Sequence, residues 1–231
     1  MTASMSAADR LAGVRSWIFD CDGVLLDSNA VKTDAFRLAA APYGDRAAEA
    51  LVRYHRRTGG VSRHEKARYF FDEILQQPVS IEELDRFVGC FANAVVGGLA
   101  DVVEDAAARA LLDHVHDQGC AVFVVTGGDE DEVRSEFDRR GLAHYFTGVY
   151  GSPTGKREII QALLDSGAIR APVAIVGDGA LDAASAVECG FDFVFVSHWT
   201  EWDGWEHALP PASIVVEDLA ALLDLLEQRA R

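Results

Sequence analysis

The chain has 231 residues, 49% hydrophobic and 25% charged, a composition that excludes disordered and fibrous classes and a length that suits one domain carrying an insertion. Lys and Arg number 21 against 37 Asp and Glu, and the resulting net charge of −16 argues against general binding to nucleic acid or anionic lipid. A small anionic substrate in a local basic pocket stays compatible with that charge.

The first predicted strand is Ser16-Trp17-Ile18-Phe19, which stops at Asp20-Cys21-Asp22-Gly23. From Asn29 to about Leu99 the periodicity is helical, and at about 70 residues the segment is too long for a crossover connection. It predicts an inserted helical subdomain. Ala108, Leu111, Leu112 and Val115 then mark a helix stopped by Gly119. A second strand, Ala121 to Val125, stops at Thr126-Gly127-Gly128, and a helix follows from Asp129 to Arg140 with acids first and arginines last. Phe146 to Tyr150 is a weaker strand, and Lys156 to Ser166 a helix after Gly151-Ser152-Pro153. Val173 to Val176 is a strand stopping at Gly177-Asp178-Gly179, with Asp182 one turn into the next helix. Phe193 to Val196 is the fifth strand, and Leu219 to Leu226 the last helix. Near-continuous apolar strands alternating with helices predict a doubly wound parallel α/β sheet, with residues 1–28 and 100–231 as core and 29–99 as the insertion.

Cys21, Cys90, Cys120 and Cys189 are widely spaced and signal neither a zinc site nor a disulfide framework. Met1 to Ala12 lacks the apolar core of a signal peptide, and no apolar run approaches the ~20 residues of a membrane span. A cytoplasmic protein without a membrane partner is expected.

Ligands of an open parallel sheet bind at the carboxyl ends of its strands. Here those ends carry Asp20 and Asp22, Thr126 with two glycines, and Asp178 with Asp182 nearby, while Lys156 opens a helix beside them. Converging acids repel each other unless a cation intervenes, and hard carboxylate oxygens favour magnesium over zinc. Magnesium takes further ligands from a substrate phosphate. Lys156, the Thr126 hydroxyl and the amides after it, Gly127 first, are placed to hold the remaining phosphate oxygens, those amides being read as a helix N-terminus. Taken singly, the aspartate–glycine pairs are ordinary turns, Thr126 a helix cap and Lys156 a solvated first-turn residue. Taken jointly and in order, they describe a site for phosphoryl groups.

Phe19-Asp20-Cys21-Asp22-Gly23-Val24-Leu25-Leu26-Asp27-Ser28 resembles the first motif of the haloacid dehalogenase superfamily. Val124-Val125-Thr126-Gly127, Gly151-Ser152-Pro153 with Lys156, and Val176-Gly177-Asp178-Gly179 with Asp182 resemble its second, third and fourth motifs. The resemblance spans nearly the whole chain and implies a Rossmann-like core with a helical cap, nearest in pattern to phosphoglycolate phosphatases and β-phosphoglucomutases. It implies Asp20 as nucleophile through an aspartyl-phosphate, and Asp22 as the acid and then base. It also implies Asp20, the Asp22 carbonyl and Asp178 around Mg2+, with Asp182 supporting them.

Asp22 is absent from the patterns of the namesake dehalogenases and of phosphonoacetaldehyde hydrolases, so phosphate-ester hydrolysis of a small phosphorylated metabolite is expected. Two alternatives remain: a β-phosphoglucomutase-like mutase, and a catalytically silent phospho-ligand module. Gly60-Val61-Ser62-Arg63 is similar to the mutase specificity loop, whereas Lys32 stands where that pattern has histidine. Arg63 and Lys66, beside Thr58-Gly59-Gly60, are expected to read the remote part of the substrate; Arg53, Arg57 and Arg68 are expected on a solvated face. The Trp199, Trp202 and Trp205 loop is expected to pack on its own domain, and Cys21 to be inert.

Overall fold

Six parallel strands form one sheet in the order β3-β2-β1-β4-β5-β6 in the computed structural model, which describes residues 5–228. They are β1 (Ser16–Phe19), β2 (Ala121–Asp129), β3 (Gly148–Ser152), β4 (Val173–Gly177), β5 (Asp192–Val196) and β6 (Ile214–Val216). Alternate side chains enter two separate apolar layers. Phe19, Val122, Val124 and Val176 face one, while Ile18, Phe123, Val125 and Ile175 face the other. The first layer is closed by α1 (Ala7–Leu11), α6 (Ala108–Asp117), α7 (Glu130–Arg140) and α11 (Leu219–Glu227). The second is closed by α8 (Lys156–Asp165) and α9 (Ala180–Cys189), with the short α10 (Trp205–Ala208) at its rim. Burial on both faces explains why these strands read as continuous apolar runs.

Between β1 and α6 lie α2 (Asn29–Ala40), α3 (Asp45–Arg57), α4 (Arg63–Tyr69), a π-helical turn (Phe70–Leu75) and α5 (Ile81–Leu99). Phe36, Leu51, Phe70, Phe71, Phe87 and Phe91 give these helices an apolar cluster of their own. Ser62 caps the start of α4: its hydroxyl accepts from Glu65 N at 3.2 Å and donates to Glu65 Oε1 at 3.0 Å. None of the described helices is long and apolar enough to cross a membrane.

The structure departs from the sequence expectation most clearly at β3, β2 and β6. The third strand begins at Gly148 because Ala143–Tyr145 forms a 3₁₀ turn and Phe146 packs on Phe137, with ring centroids 4.9 Å apart. β2 runs on to Asp129, its pairing with β3 irregular between Val125 and Asp129. The three-residue β6 is too short for periodicity to announce.

Candidate active site

The chain runs β1→β2→β3 to one side of β1 and β4→β5→β6 to the other, so the order reverses between β1 and β4. Ligands collect at such a reversal. Asp20 follows β1 and Asp178 follows β4, and Asp20 N donates to Val176 O at 2.9 Å, extending the ladder and pinning the two strand ends together. Cys21 N donates to Asp20 Oδ1 at 2.7 Å. The turn that follows requires Gly23: its φ is +73°, and a Cβ there would lie 2.2 Å from Asp178 Oδ2 and 2.3 Å from Asn29 Nδ2.

Carboxylate oxygens of Asp20, Asp178 and Asp182 all lie within 4.8 Å of one another, and all three residues are buried. Burial first, then the charges of Asp20 and Asp182, push the Asp178 carboxyl well above its usual range. Burial likewise raises Asp182 to about 7 although Lys156 pulls the other way. Lys156 is no solvated first-turn residue. It is 3% exposed, and its Nζ lies 2.6 Å from both Asp20 Oδ2 and Asp182 Oδ1. Burial opposes its charge, but Asp182 and Asp20 outweigh burial and raise its pKa. One lysine offsets only part of the charge of three buried carboxylates. The all-oxygen donor set and this excess of negative charge fit a hard divalent cation such as Mg2+.

Asp22 points elsewhere. Its carboxylate forms an ion pair with Lys32 on α2 and accepts from Ser28 Oγ at 2.5 Å. Burial would raise the Asp22 pKa, but the Lys32 charge and these hydrogen bonds prevail and lower it. Thr126 Oγ1 lies 3.5 Å from Asp22 Oδ2 and accepts from Gly128 N at 3.0 Å. The helix after it starts at Glu130 and is capped by Asp129, whose Oδ1 accepts from Glu132 N at 3.2 Å. The amides after Thr126 therefore belong to the irregular end of β2, and the expected helix N-terminus lies three residues later. Burial, then the neighbouring Asp22 charge, pushes the Cys21 thiol up, as an inert cysteine requires.

The helices of residues 29–99 roof a cavity of about 60 Å³ above these groups. The Thr58-Gly59-Gly60 turn between α3 and α4 presses on the strand ends. A Cβ on Gly127 would lie 2.2 Å from Gly60 O, and Gly60 has a φ of +87°. Arg63 and Lys66 are both buried and line the cavity, whereas Arg53, Arg57 and Arg68 are exposed as expected. The two cavity residues are built differently. Arg63 donates twice to Glu132 on α7, once at 2.7 Å, and its Cζ sits 4.9 Å from the Phe91 ring centre. Lys66 meets His55. Glu201, in the tryptophan loop, accepts from Thr33 on α2 and pairs with Arg56 on α3 at 3.4 Å. Trp202 and Trp205 pack on Phe195 within their own layer, with centroids 5.9 and 4.8 Å away.

The family model described as haloacid dehalogenase-like hydrolase matches residues 17–196. The chain belongs to that family. No curated protein matches it in sequence. Among solved structures, this haloacid dehalogenase-like hydrolase is similar in fold to a hydrolase from Pseudomonas syringae, with a TM-score of 0.72 at 21% identity, covering 92% of this chain and 98% of that one. A predicted phosphatase from Clostridium acetobutylicum gives 0.72 at 18%, covering 93% and 99%. A predicted phosphoglycolate phosphatase from Haemophilus somnus gives 0.71 at 17%, covering 92% and 97%.

Asn29, Glu132 and Glu201 escaped the sequence reading. Asn29 Nδ2 donates to Asp178 Oδ2 at 2.7 Å and to Trp199 O at 2.9 Å, so the first residue of α2 helps to orient an acid of β4. Nothing local in the sequence marks such a residue.

Proposed function

We propose that this hydrolase is a magnesium-dependent phosphomonoesterase acting on a small phosphorylated metabolite through a phosphoryl-enzyme at Asp20. The observation that carries it is the Asp20 carboxylate held by Lys156 beside Asp178 and Asp182. The structural neighbours described as predicted phosphatases support the same reading. Asp20, the Asp22 carbonyl and Asp178 would hold Mg2+, with Asp182 behind them; when bound, the ion neutralises phosphoryl oxygens. Lys156 holds the Asp20 side chain in place at 2.6 Å, and that carboxylate oxygen bonds to phosphorus as the ester P–O bond breaks. Asp22, having taken up a proton, gives it to the leaving oxygen. As a carboxylate, the state that Lys32 favours in the structure, it then takes a proton from the water that releases Asp20. Residues 29–99 act as a cap that excludes bulk water while Arg63–Glu132 and the Glu201 contacts hold it shut. Lys32 in place of the mutase histidine favours hydrolysis over transfer.

A phosphate-release screen over many monoesters, with Mg2+ and with a chelator, tests this function. Magnesium-dependent release supports it, and no release from any ester would overturn it. Asp22→Asn is expected to slow alkyl phosphates about 10²–10⁴-fold and p-nitrophenyl phosphate far less, since that leaving group needs little protonation. Equal losses on both would remove Asp22 from the proton-transfer role. Arg63→Ala leaves Glu132 without its partner and loosens the cap. Losses of roughly 10-fold or more are expected in kcat/KM for large and small esters alike. A loss confined to large esters would instead make Arg63 a substrate reader.

A further inference from the structure

The cap side of the cavity holds a second pair that the mechanism leaves unused. His55 on α3 and Lys66 on α4 both line it, and Lys66 Nζ lies 2.7 Å from His55 Nδ1. They are 8% and 2% exposed respectively. Their bed is aromatic: the His55 ring lies 4.7 Å from the Phe36 centroid, and Lys66 Nζ lies 5.6 Å from the same centre. Lys32, Arg56 and Arg63, which line the same cavity, each have a carboxylate partner. Among the described residues Lys66 has none; its hydrogen-bond partner is a histidine.

A buried ammonium without a counter-ion is costly, and the group loses its proton unless an anion arrives. Burial, then the Lys32 charge, draws Lys66 down to about 7. Burial, then Lys66, takes His55 well below its ordinary range. The charges facing the pair are Lys32 from α2, Arg56 from α3, and Asp20, Asp22 and Lys156 from the core. Glu65, on the same helix as Lys66, is exposed and engaged by Ser62. Of the acids lining the cavity, Asp20, Asp22 and Asp178 stand at the strand ends and Glu201 is already engaged by Thr33 and Arg56, while the helices of residues 29–99 contribute none.

We infer that His55 and Lys66 form a subsite for a second anionic group, a carboxylate or a phosphate, at the non-reacting end of the substrate, and that filling it draws a proton onto the pair. The subsite deepens the phosphatase reading and rests on it for the placing of the reacting phosphate over Asp20.

Calorimetry with non-hydrolysable probes tests the subsite apart from turnover. Phosphonoacetate carries a carboxylate tail, methylenebisphosphonate a phosphonate tail and ethylphosphonate a neutral one. With Mg2+ present, one or both anionic-tailed probes are expected to bind roughly 30-fold or more tightly than ethylphosphonate, and which of them does so identifies the anion. Titration at pH 8 in buffers of different ionisation heat should show greater proton uptake by the wild type than by Lys66→Arg, which arrives charged. Lys66→Arg should keep the preference, and Lys66→Met should erase it. Equal affinity for all three probes, or the same proton count in wild type and Lys66→Arg, would overturn the subsite. A preference for phosphonoacetate in a protein that releases no phosphate would remove the phosphatase reading alone. Phosphate release without any preference would remove the subsite alone.

Discussion

Asp20→Asn is expected to lower phosphate release by roughly 10⁴-fold or more while leaving the protein folded and, without metal, at least as stable as the wild type. The two halves of this expectation come from the same cluster. Asp20, Asp178 and Asp182 are buried together with one lysine, and the Asp20 charge is the largest cause after burial of the raised Asp178 pKa. An amide in place of the Asp20 carboxylate relieves that repulsion, keeps the side-chain shape, and leaves Lys156 paired with Asp182 at 2.6 Å. It also removes the proposed nucleophile and one oxygen of the proposed metal site. Added Mg2+ should therefore raise the Tm of the wild type much more than that of the variant. Such a site trades stability for function, and its loss shows as inactivity with a sound fold. Thermal unfolding with and without Mg2+, beside a phosphate-release assay, reads both halves. Wild-type turnover would remove Asp20 as nucleophile. A metal-free Tm several degrees below wild type would mean that the three acids do not strain the fold.

The sheet was legible because its inner strands are buried on both faces, and two of them, β1 and β4, run straight into a residue type that no core tolerates without a partner. Asp20 and Asp178 were therefore readable as a pair before any coordinate, and Lys156 with them, since a first-turn lysine beside three acids has an electrostatic reason to turn inward. What stayed hidden depends on contacts between distant segments. Glu132 looks like one of several acids opening α7, and its partner Arg63 stands 69 residues earlier. Lys32 was noticed as a departure from a pattern, but its ion pair with Asp22 follows from where α2 leaves the strand end. The basic run from Arg53 to Arg68 was separable into exposed and inward members because Arg63 and Lys66 stand beside the Thr58-Gly59-Gly60 turn. Which inward member carries a counter-ion was not separable, because that counter-ion, Glu132, stands on α7, far along the chain.

Lys156→Met is expected to cost about 3–5 kcal/mol of stability and to abolish turnover. Lys156 is the cation directly bonded to Asp20 and Asp182, at 2.6 Å from each, and its own side chain is 2% exposed. Without it the acids lose that compensation, and they can lower the cost only by taking up protons. That gives the deficit a pH dependence of definite sign. Carboxyls whose folded pKa is raised stabilise the fold below their unfolded pKa of about 3.9 and lose that contribution as pH rises through the folded value. Asp182 already stands at about 7 with the lysine in place, and Asp178 is raised as well. The gap between variant and wild type should thus be small near pH 4 and widen through neutrality. Mg2+ should narrow it at high pH, supplying charge to the same oxygens, yet turnover should stay lost because Asp20 is no longer positioned by the ammonium. Lys156→Arg separates charge from shape. The Cβ position of Gly60 lies only 3.3 Å from Lys156 Cε and Nζ, so a guanidinium must displace the cap turn. Most of the stability should return, but little of the activity. Urea unfolding of all three proteins at pH 4 and pH 8 measures the gap, and a constant gap across that range would show that Lys156 contributes packing, not compensation for the acids.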